Sequence, residues 1–195
     1  MKSVTNHPDR VDDKLIEKAR TGDEQAFVML MRKYEQTVYS YSFNVCRDKE
    51  KAAETLQDTF VNVFQKLEQF NRKSKFSTWL YSIVTNNCLM KRRRSTLSKA
   101  LVNFEEYADH SIADRAVWPV TPLDETLKKE LRDHLDRAIL KMPLEYRITF
   151  VLRDVEGKPA DEVAEILKIS VPAVKSRLRR ARVFLREQLE GYRAS

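Results

Sequence analysis

The sequence predicts an all-α protein of two small helical domains, a helical bundle followed by a helix-turn-helix domain, joined by a flexible linker. Three observations carry this. Apolar residues recur three and four apart almost everywhere, and clean alternation is hard to find. Three Gly and six Pro in 195 residues are too few for a turn-rich β fold. Between Ser95 and Pro122 the periodicity fades, with Pro119 and Pro122 near its end. The expected domains are therefore 1–94 and 123–195, with 95–122 as linker.

A short first helix is predicted over Asp12 to Arg20, stopping near Gly22. Asp23 can cap a second, whose stripe is Phe27, Leu30, Met31, Tyr34, Val38, Tyr41 and Val45. Asp48 can cap a third, with Ala52, Leu56, Phe60, Val63, Leu67 and Phe70 inward. The polar run Asn71 to Lys75 breaks the pattern. Ser77 can cap a fourth helix through Trp79, Leu80, Ile83, Val84 and Cys88, ending in Lys91-Arg92-Arg93-Arg94. A short helical piece around Phe104 and Tyr107 is expected inside the linker.

The second domain opens on Leu123, Leu127, Leu131, Leu135 and Ile139, and Met142-Pro143 ends that helix. Leu144, Ile148, Val151, Leu152 and Val155 form the next, which Gly157 is placed to terminate. Pro159 suits the first turn of a short helix carrying Val163, Ala164 and Leu167. Ser170 caps the last, with Val171, Val174, Leu178, Ala181, Leu185 and Leu189 inward.

Composition narrows the function. Lys and Arg outnumber Asp and Glu by 36 to 29, a net charge of +7, which favours polyanionic partners and nucleic acid first. No apolar run reaches the roughly 18 residues a bilayer span needs, so no membrane insertion is expected. Met1 to Pro8 lacks the apolar core of a signal peptide, and a cytoplasmic location is expected. Cys46 and Cys88 read as reduced, buried thiols. His7, His110 and His134 have no partners at ligand spacing, so neither metal nor cofactor is expected. No catalytic constellation is seen either.

Two stretches carry candidate chemistry. Pro159 to Leu167, a turn at Lys168-Ile169 and a helix from Ser170 have helix-turn-helix dimensions. From Ser170 to Arg186 there are six basic residues and no acidic one, with Lys175, Arg179, Arg182 and Arg186 in one stripe widened by Arg177 and Arg180. Such a helix fits a major groove. The other stretch holds Phe60, Phe64, Phe70, Phe76, Trp79 and Tyr81, six of the 18 aromatics, with Arg72, Lys73 and Lys75 among them. Exposed rings and nearby cations hold unpaired bases. Phe60, Phe64 and Trp79 are expected on inner faces, which leaves the loop Asn71 to Lys75 and the helix after it as the candidate surface.

Ala53 to Phe60 followed by Phe76 to Ile83 resembles region 2 of bacterial sigma factors. Lys141-Met142-Pro143 and Gly157 to Leu185, with Ser170-Val171-Pro172-Ala173-Val174-Lys175-Ser176-Arg177-Leu178, resembles region 4. With only these two regions, the chain resembles the extracytoplasmic-function (ECF) group of the sigma-70 family, from about Gly22 to Leu189. The resemblance implies an alternative sigma factor that binds core RNA polymerase and directs promoter-specific initiation. It implies that Glu54, Gln57, Asp58 and Phe60 dock on the β′ clamp helices, and that the second domain touches the β flap. Asn71, Arg72, Lys73, Ser74 and Lys75, with Asn86 beneath them, would capture a flipped base of the −10 element. Lys91, Arg92, Arg93 and Arg94 would track the backbone beside it. Lys175, Ser176, Arg179 and Arg180 would enter the −35 major groove, and Arg177 and Arg182 would hold phosphates. Restraint by an anti-sigma factor is implied too.

Departures are local. Lys168 stands where many relatives have Gly, Pro172-Ala173 replaces a commoner Gly-Thr, and the capture loop has no acidic residue. The rival reading is a helix-turn-helix regulator that binds duplex DNA and melts nothing.

Overall fold

Local capping starts the helices of the first lobe. The computed structural model describes the backbone of residues 9–101 and 125–193 and the side chains of 13–93 and 133–190. Helix α1 (Asp9–Arg20) ends before Gly22, whose φ of +93° only glycine adopts without strain. Asp23 Oδ1 accepts the Ala26 amide at 3.0 Å and starts α2 (Glu24–Cys46). Arg47, in the left-handed region at φ +53°, turns the chain, and Asp48 Oδ1 takes the Lys51 amide at 3.0 Å to open α3 (Lys49–Lys66). One tighter turn, Leu67–Gln69, leads to the loop and then α4 (Phe76–Leu101). Among the described residues every regular element is helical.

Two details differ from the sequence expectation. Ser77 is not the cap of α4, because Phe76 and Ser77 already lie in its first turn and the Trp79 amide bonds to the Lys75 carbonyl. The helix also runs on to Leu101, taking residues 95–101 from the expected linker. The piece around Phe104 and Tyr107 lies outside the described residues.

The second lobe comprises α5 (Glu125–Lys141), α6 (Leu144–Phe150), α7 (Ala160–Leu167) and α8 (Val171–Arg193). After Phe150 the coil widens over Val151–Val155, where the Glu156 amide reaches back to the Val151 carbonyl at 2.8 Å. Gly157, at φ +66°, turns the chain out, and Pro159 precedes α7. Lys168 closes α7 in the left-handed region at φ +53°, the conformation for which a glycine is the usual choice. Ser170 Oγ accepts the Ala173 amide at 3.3 Å and begins α8.

The inward stripes meet as expected. Leu30, Val38, Tyr41, Val45, Val63, Leu80 and Val84 form the core of the first lobe. Ala138, Ile139, Met142, Ala181 and Leu185 bind α5 to α8. The lobes do not stand apart. Ile148, Val151, Leu152, Val163 and Ile166 join the apolar cluster built around Tyr41 and Leu80, so one continuous core runs through the joint. Burial of this extent stabilises the closed arrangement at roughly 25 cal/mol per Å² of apolar surface.

Candidate nucleic-acid interface

The outer face of α8 is open. Lys175, Ser176, Arg179, Arg180, Arg182 and Arg186 are exposed, while Val174, Leu178, Ala181 and Leu185 are buried on the opposite side. Closure of the lobes therefore does not mask the cationic stripe. Its members differ in partners. Arg182 grips Asp154 through two bonds of 2.9 and 2.7 Å, and Arg177 reaches Glu145 at 2.9 Å. Arg180 donates to the Tyr146 hydroxyl at 3.1 Å. The side chains of Lys175, Ser176 and Arg179 point outward from the middle of the stripe.

In the first lobe the loop before α4 holds its shape locally. Asn71 Oδ1 accepts the Lys73 amide at 3.2 Å, and Arg72, at φ +58°, reaches Glu17 at 2.7 Å. Asn71, Arg72, Lys73 and Lys75 are exposed and Ser74 is half-buried. Asn86 is exposed as well, but eleven residues along α4 from Lys75, about 16 Å at the helical rise. The loop thus precedes α4, and Asn86 lies about three turns into it. Its neighbour Asn87 faces inward, bonded to Asn62 at 2.9 Å and Thr59 at 3.1 Å.

Lys91 is paired within the chain. Its ammonium lies 2.9 Å from Glu54 and 3.0 Å from Asp58, so it joins α4 to the face of α3 that carries the docking candidates. Burial pulls its pKa down, but the bonds and charges of Glu54 and Asp58 outweigh that and leave it raised. Glu54, Gln57 and Asp58 are exposed, Phe60 is half-buried, and Arg93 is exposed near the end of the described side chains. Phe64 corrects the expectation of an inward ring. It is 66% exposed, in a T-shaped contact with Phe27 at a centroid distance of 5.2 Å, and Val61 is exposed too. Phe60 and Trp79 do pack against the core.

The residues that sequence reasoning missed are those of the joint. Tyr81 Oη donates to Glu156 at 2.7 Å, Thr78 Oγ1 donates to Glu162 at 3.0 Å, and Lys158 bonds Glu162 at 2.9 Å while lying 4.7 Å over the Tyr81 ring. Arg147 is buried and donates to the Val45 carbonyl of the first lobe at 3.0 Å and to the Leu140 and Met142 carbonyls of its own. Burial and the nearby Arg92 push its pKa down to about 10, so it stays charged at neutral pH. Arg47 and Asp136 form a further cross-lobe pair at 2.9 Å. One signal was present: Arg147 sits on the apolar stripe Leu144, Ile148, Val151, where a charge needs a buried partner.

Among the described residues no group of His, Cys, Asp and Glu is placed to hold a metal ion, and no helix is long and apolar enough to cross a membrane.

Two all-α modules, the second ending in a helix-turn-helix with a cationic outer face, define a two-module DNA-binding protein of transcription. Residues 30–97 match Sigma-70 region 2, and residues 132–185 match Sigma-70 region 4. The ECF RNA polymerase sigma factor SigW of Bacillus subtilis is 31% identical over 182 residues, covering 90% of this chain and 95% of the relative. The RNA polymerase sigma-H factor of Pseudomonas aeruginosa is 29% identical over 185 residues, 92% and 94% of the two chains. Two solved structures share the fold. CnrH in complex with the cytosolic domain of CnrY superposes with a TM-score of 0.63 at 23% identity, over 94% of this chain and 97% of that one. RpoE in complex with the anti-sigma factor NepR from Bartonella quintana gives 0.62 at 23% identity, over 84% and 96%. The chain belongs to the sigma-70 family of RNA polymerase sigma factors, in its extracytoplasmic-function group.

Proposed function

We infer that this sigma factor works in the cytoplasm by docking on core RNA polymerase through α3 and dividing promoter reading between its lobes. The single observation that carries the division is the exposure of two separate polar surfaces, one on each lobe: the middle of α8, and the loop 71–75 with Asn86 on α4. Lys175, Ser176 and Arg179 enter the −35 major groove with Arg180 beside them, where Lys and Arg read guanine edges. Arg177 and Arg182 turn from Glu145 and Asp154 to phosphates.

On the first lobe Asn71, Arg72, Lys73, Ser74 and Lys75 embrace an extruded −10 base, Asn86 meets the strand further along α4, and Lys91, Arg92 and Arg93 follow its backbone. Trapping each base offsets a few kcal/mol of unstacking and unpairing, so melting needs no chemical step. Glu54, Gln57, Asp58 and Phe60 present the docking face for the β′ clamp helices, and the second lobe meets the β flap.

The closed joint adds a condition. Elements named −10 and −35 lie some 25 base pairs apart, about 85 Å of duplex. Lobes that share one core cannot span that distance, so promoter binding requires the joint to open. The closed chain is the form an anti-sigma factor would hold. The test is transcription from a fragmented genome of the source organism by core polymerase with and without the protein. New specific transcripts are expected. Their absence with folded, uninhibited protein would overturn the reading, and duplex binding without any melting would favour the rival regulator.

A further inference from the structure

The chain has two cysteines, 42 positions apart, and the fold brings them together. Helices α2 and α4 run side by side. The Tyr41 hydroxyl meets Thr85 at 2.7 Å and the Tyr41 ring meets Tyr81 at 5.0 Å. One turn further along both helices Cys46 packs against the core cluster that holds Cys88, and the two thiols lie within interaction range of each other. Cys88 is buried in the core and Cys46, the last residue of α2, is half-buried beside the joint. Its neighbours in sequence are the two anchors of that joint: Val45, whose carbonyl takes Arg147, and Arg47, which pairs with Asp136.

The geometry points to Cys46 and Cys88 as an oxidation site, a dithiol that peroxide converts to an intramolecular disulfide and whose oxidation loosens the joint between the lobes. The roles of the two sulfurs differ. Interaction with Cys88, followed by the Arg147 charge, holds Cys46 below the usual thiol range despite burial. The same interaction and burial push Cys88 well up. Cys46 is also the more exposed of the two, which makes it the attacking sulfur and Cys88 the resolving thiol.

The thiolate of Cys46 attacks one oxygen of hydrogen peroxide, giving the sulfenic acid and hydroxide. The Cys88 thiol then displaces the sulfenic oxygen, which leaves with the Cys88 proton as water, while the proton that Cys46 lost on ionising neutralises the hydroxide. Two thiols and one peroxide yield one disulfide and two waters. Bond formation draws the two sulfurs to about 2 Å, moving the end of α2 towards α4. It also ends the favourable charge interaction that the Cys46 sulfur, once ionised, has with Arg147, next to Arg47 and Arg92. Both changes act on the residues that clasp the second lobe. Thiol reductants reverse the reaction.

The experiment exposes the full chain, folded and free of reductant, to hydrogen peroxide. The free thiols are expected to fall from two to none, with the intact monomer lighter by two hydrogens and restored by dithiothreitol. Cys88→Ser protein should instead accumulate a sulfenic acid at Cys46 that dimedone traps, and Cys46→Ser should react at least about tenfold more slowly. Resonance energy transfer between dyes on the two lobes should report a longer distance after oxidation, unchanged by peroxide in Cys46→Ser. Thiols that survive peroxide in the native wild-type chain, or a disulfide that forms only between chains, would overturn the site. A disulfide with no change in lobe distance would overturn its link to the joint.

Discussion

Tyr81 and Glu156 meet across the joint, the phenol of the first lobe donating to the carboxylate of the second at 2.7 Å. Tyr81 is buried on α4, three residues after Thr78, which bonds Glu162, and Lys158 lies over its ring. The helix that carries the −10 candidates is thus held, on its inner side, by the segment that leads into the helix-turn-helix. Its outer side stays open. Opening the joint exposes the inner side of α4 and releases the second lobe to reach a distant element.

This contact should make the joint sensitive to alkali. Burial, and then the charge of Glu156, raise the Tyr81 pKa far above the ordinary value near 10. In the open state the phenol is wet and ionises near that ordinary value. The contribution of Tyr81 to closure is therefore complete below about pH 10 and is lost as pH rises beyond it. Energy transfer between the lobes, followed from pH 8 to 11, should report opening at the upper end. Tyr81→Phe should open more readily at neutral pH, by about 1–2 kcal/mol, and lose most of the alkaline dependence. A wild-type joint indifferent to pH 10.5 would contradict this.

Arg147 is the second handle. Its guanidinium serves carbonyls of both lobes, so Arg147→Ala leaves buried acceptors bare on each side. Global stability should fall by about 2–3 kcal/mol in urea unfolding, and closure should weaken with it. Arg147→Lys should recover little, because one ammonium cannot match a planar fork that reaches three carbonyls. Equal lobe distances in wild type and Arg147→Ala would show that the joint holds without this guanidinium.

Much of this molecule could be read from its residues, and the gaps share a cause. Asp23, Asp48 and Ser170 announced their helices because a cap is a local hydrogen bond, complete within four residues. The stripe of α8 was legible because charge and periodicity coincide on one helix. Phe64 was misplaced because a ring at helical spacing looks inward until the packing of α2 on α3 leaves it at the rim. Lys91 with Glu54, and Tyr81 with Glu156, are 37 and 75 residues apart, and no local pattern encodes such pairs. The joint stayed invisible for that reason, apart from the misplaced charge of Arg147.

Partner exchange on α8 separates its cations into two groups. Lys175 and Arg179 project from the centre of the stripe, so Lys175→Ala and Arg179→Ala should each weaken −35 duplex binding by about 1–3 kcal/mol and relax sequence preference. Arg182 must leave Asp154 before it can hold a phosphate. Asp154→Asn should therefore tighten duplex binding and steepen its salt dependence by roughly one unit of slope. Fluorescence anisotropy over a salt series measures both. Loss of affinity in Asp154→Asn would mean that the pair orients Arg182 rather than withholding it.

On the first lobe, Asn86 and Lys91 should fail at different steps although five residues separate them. Asn86 is exposed on α4, so Asn86→Ala should spare core polymerase binding and duplex binding while reducing permanganate reactivity of −10 thymines. Lys91 also fixes Glu54 and Asp58 on α3. Removing it leaves two carboxylates close together and uncompensated, which disorders the docking face as well as weakening the grip on the strand. Lys91→Ala should therefore lower affinity for core polymerase several-fold, and Arg93→Ala, on the same helix, should not. The effect should shrink in high salt, since the carboxylates are more than half exposed. If Lys91→Ala bound core polymerase like wild type and lost only melting, the bridge from α4 to α3 would have no part in docking.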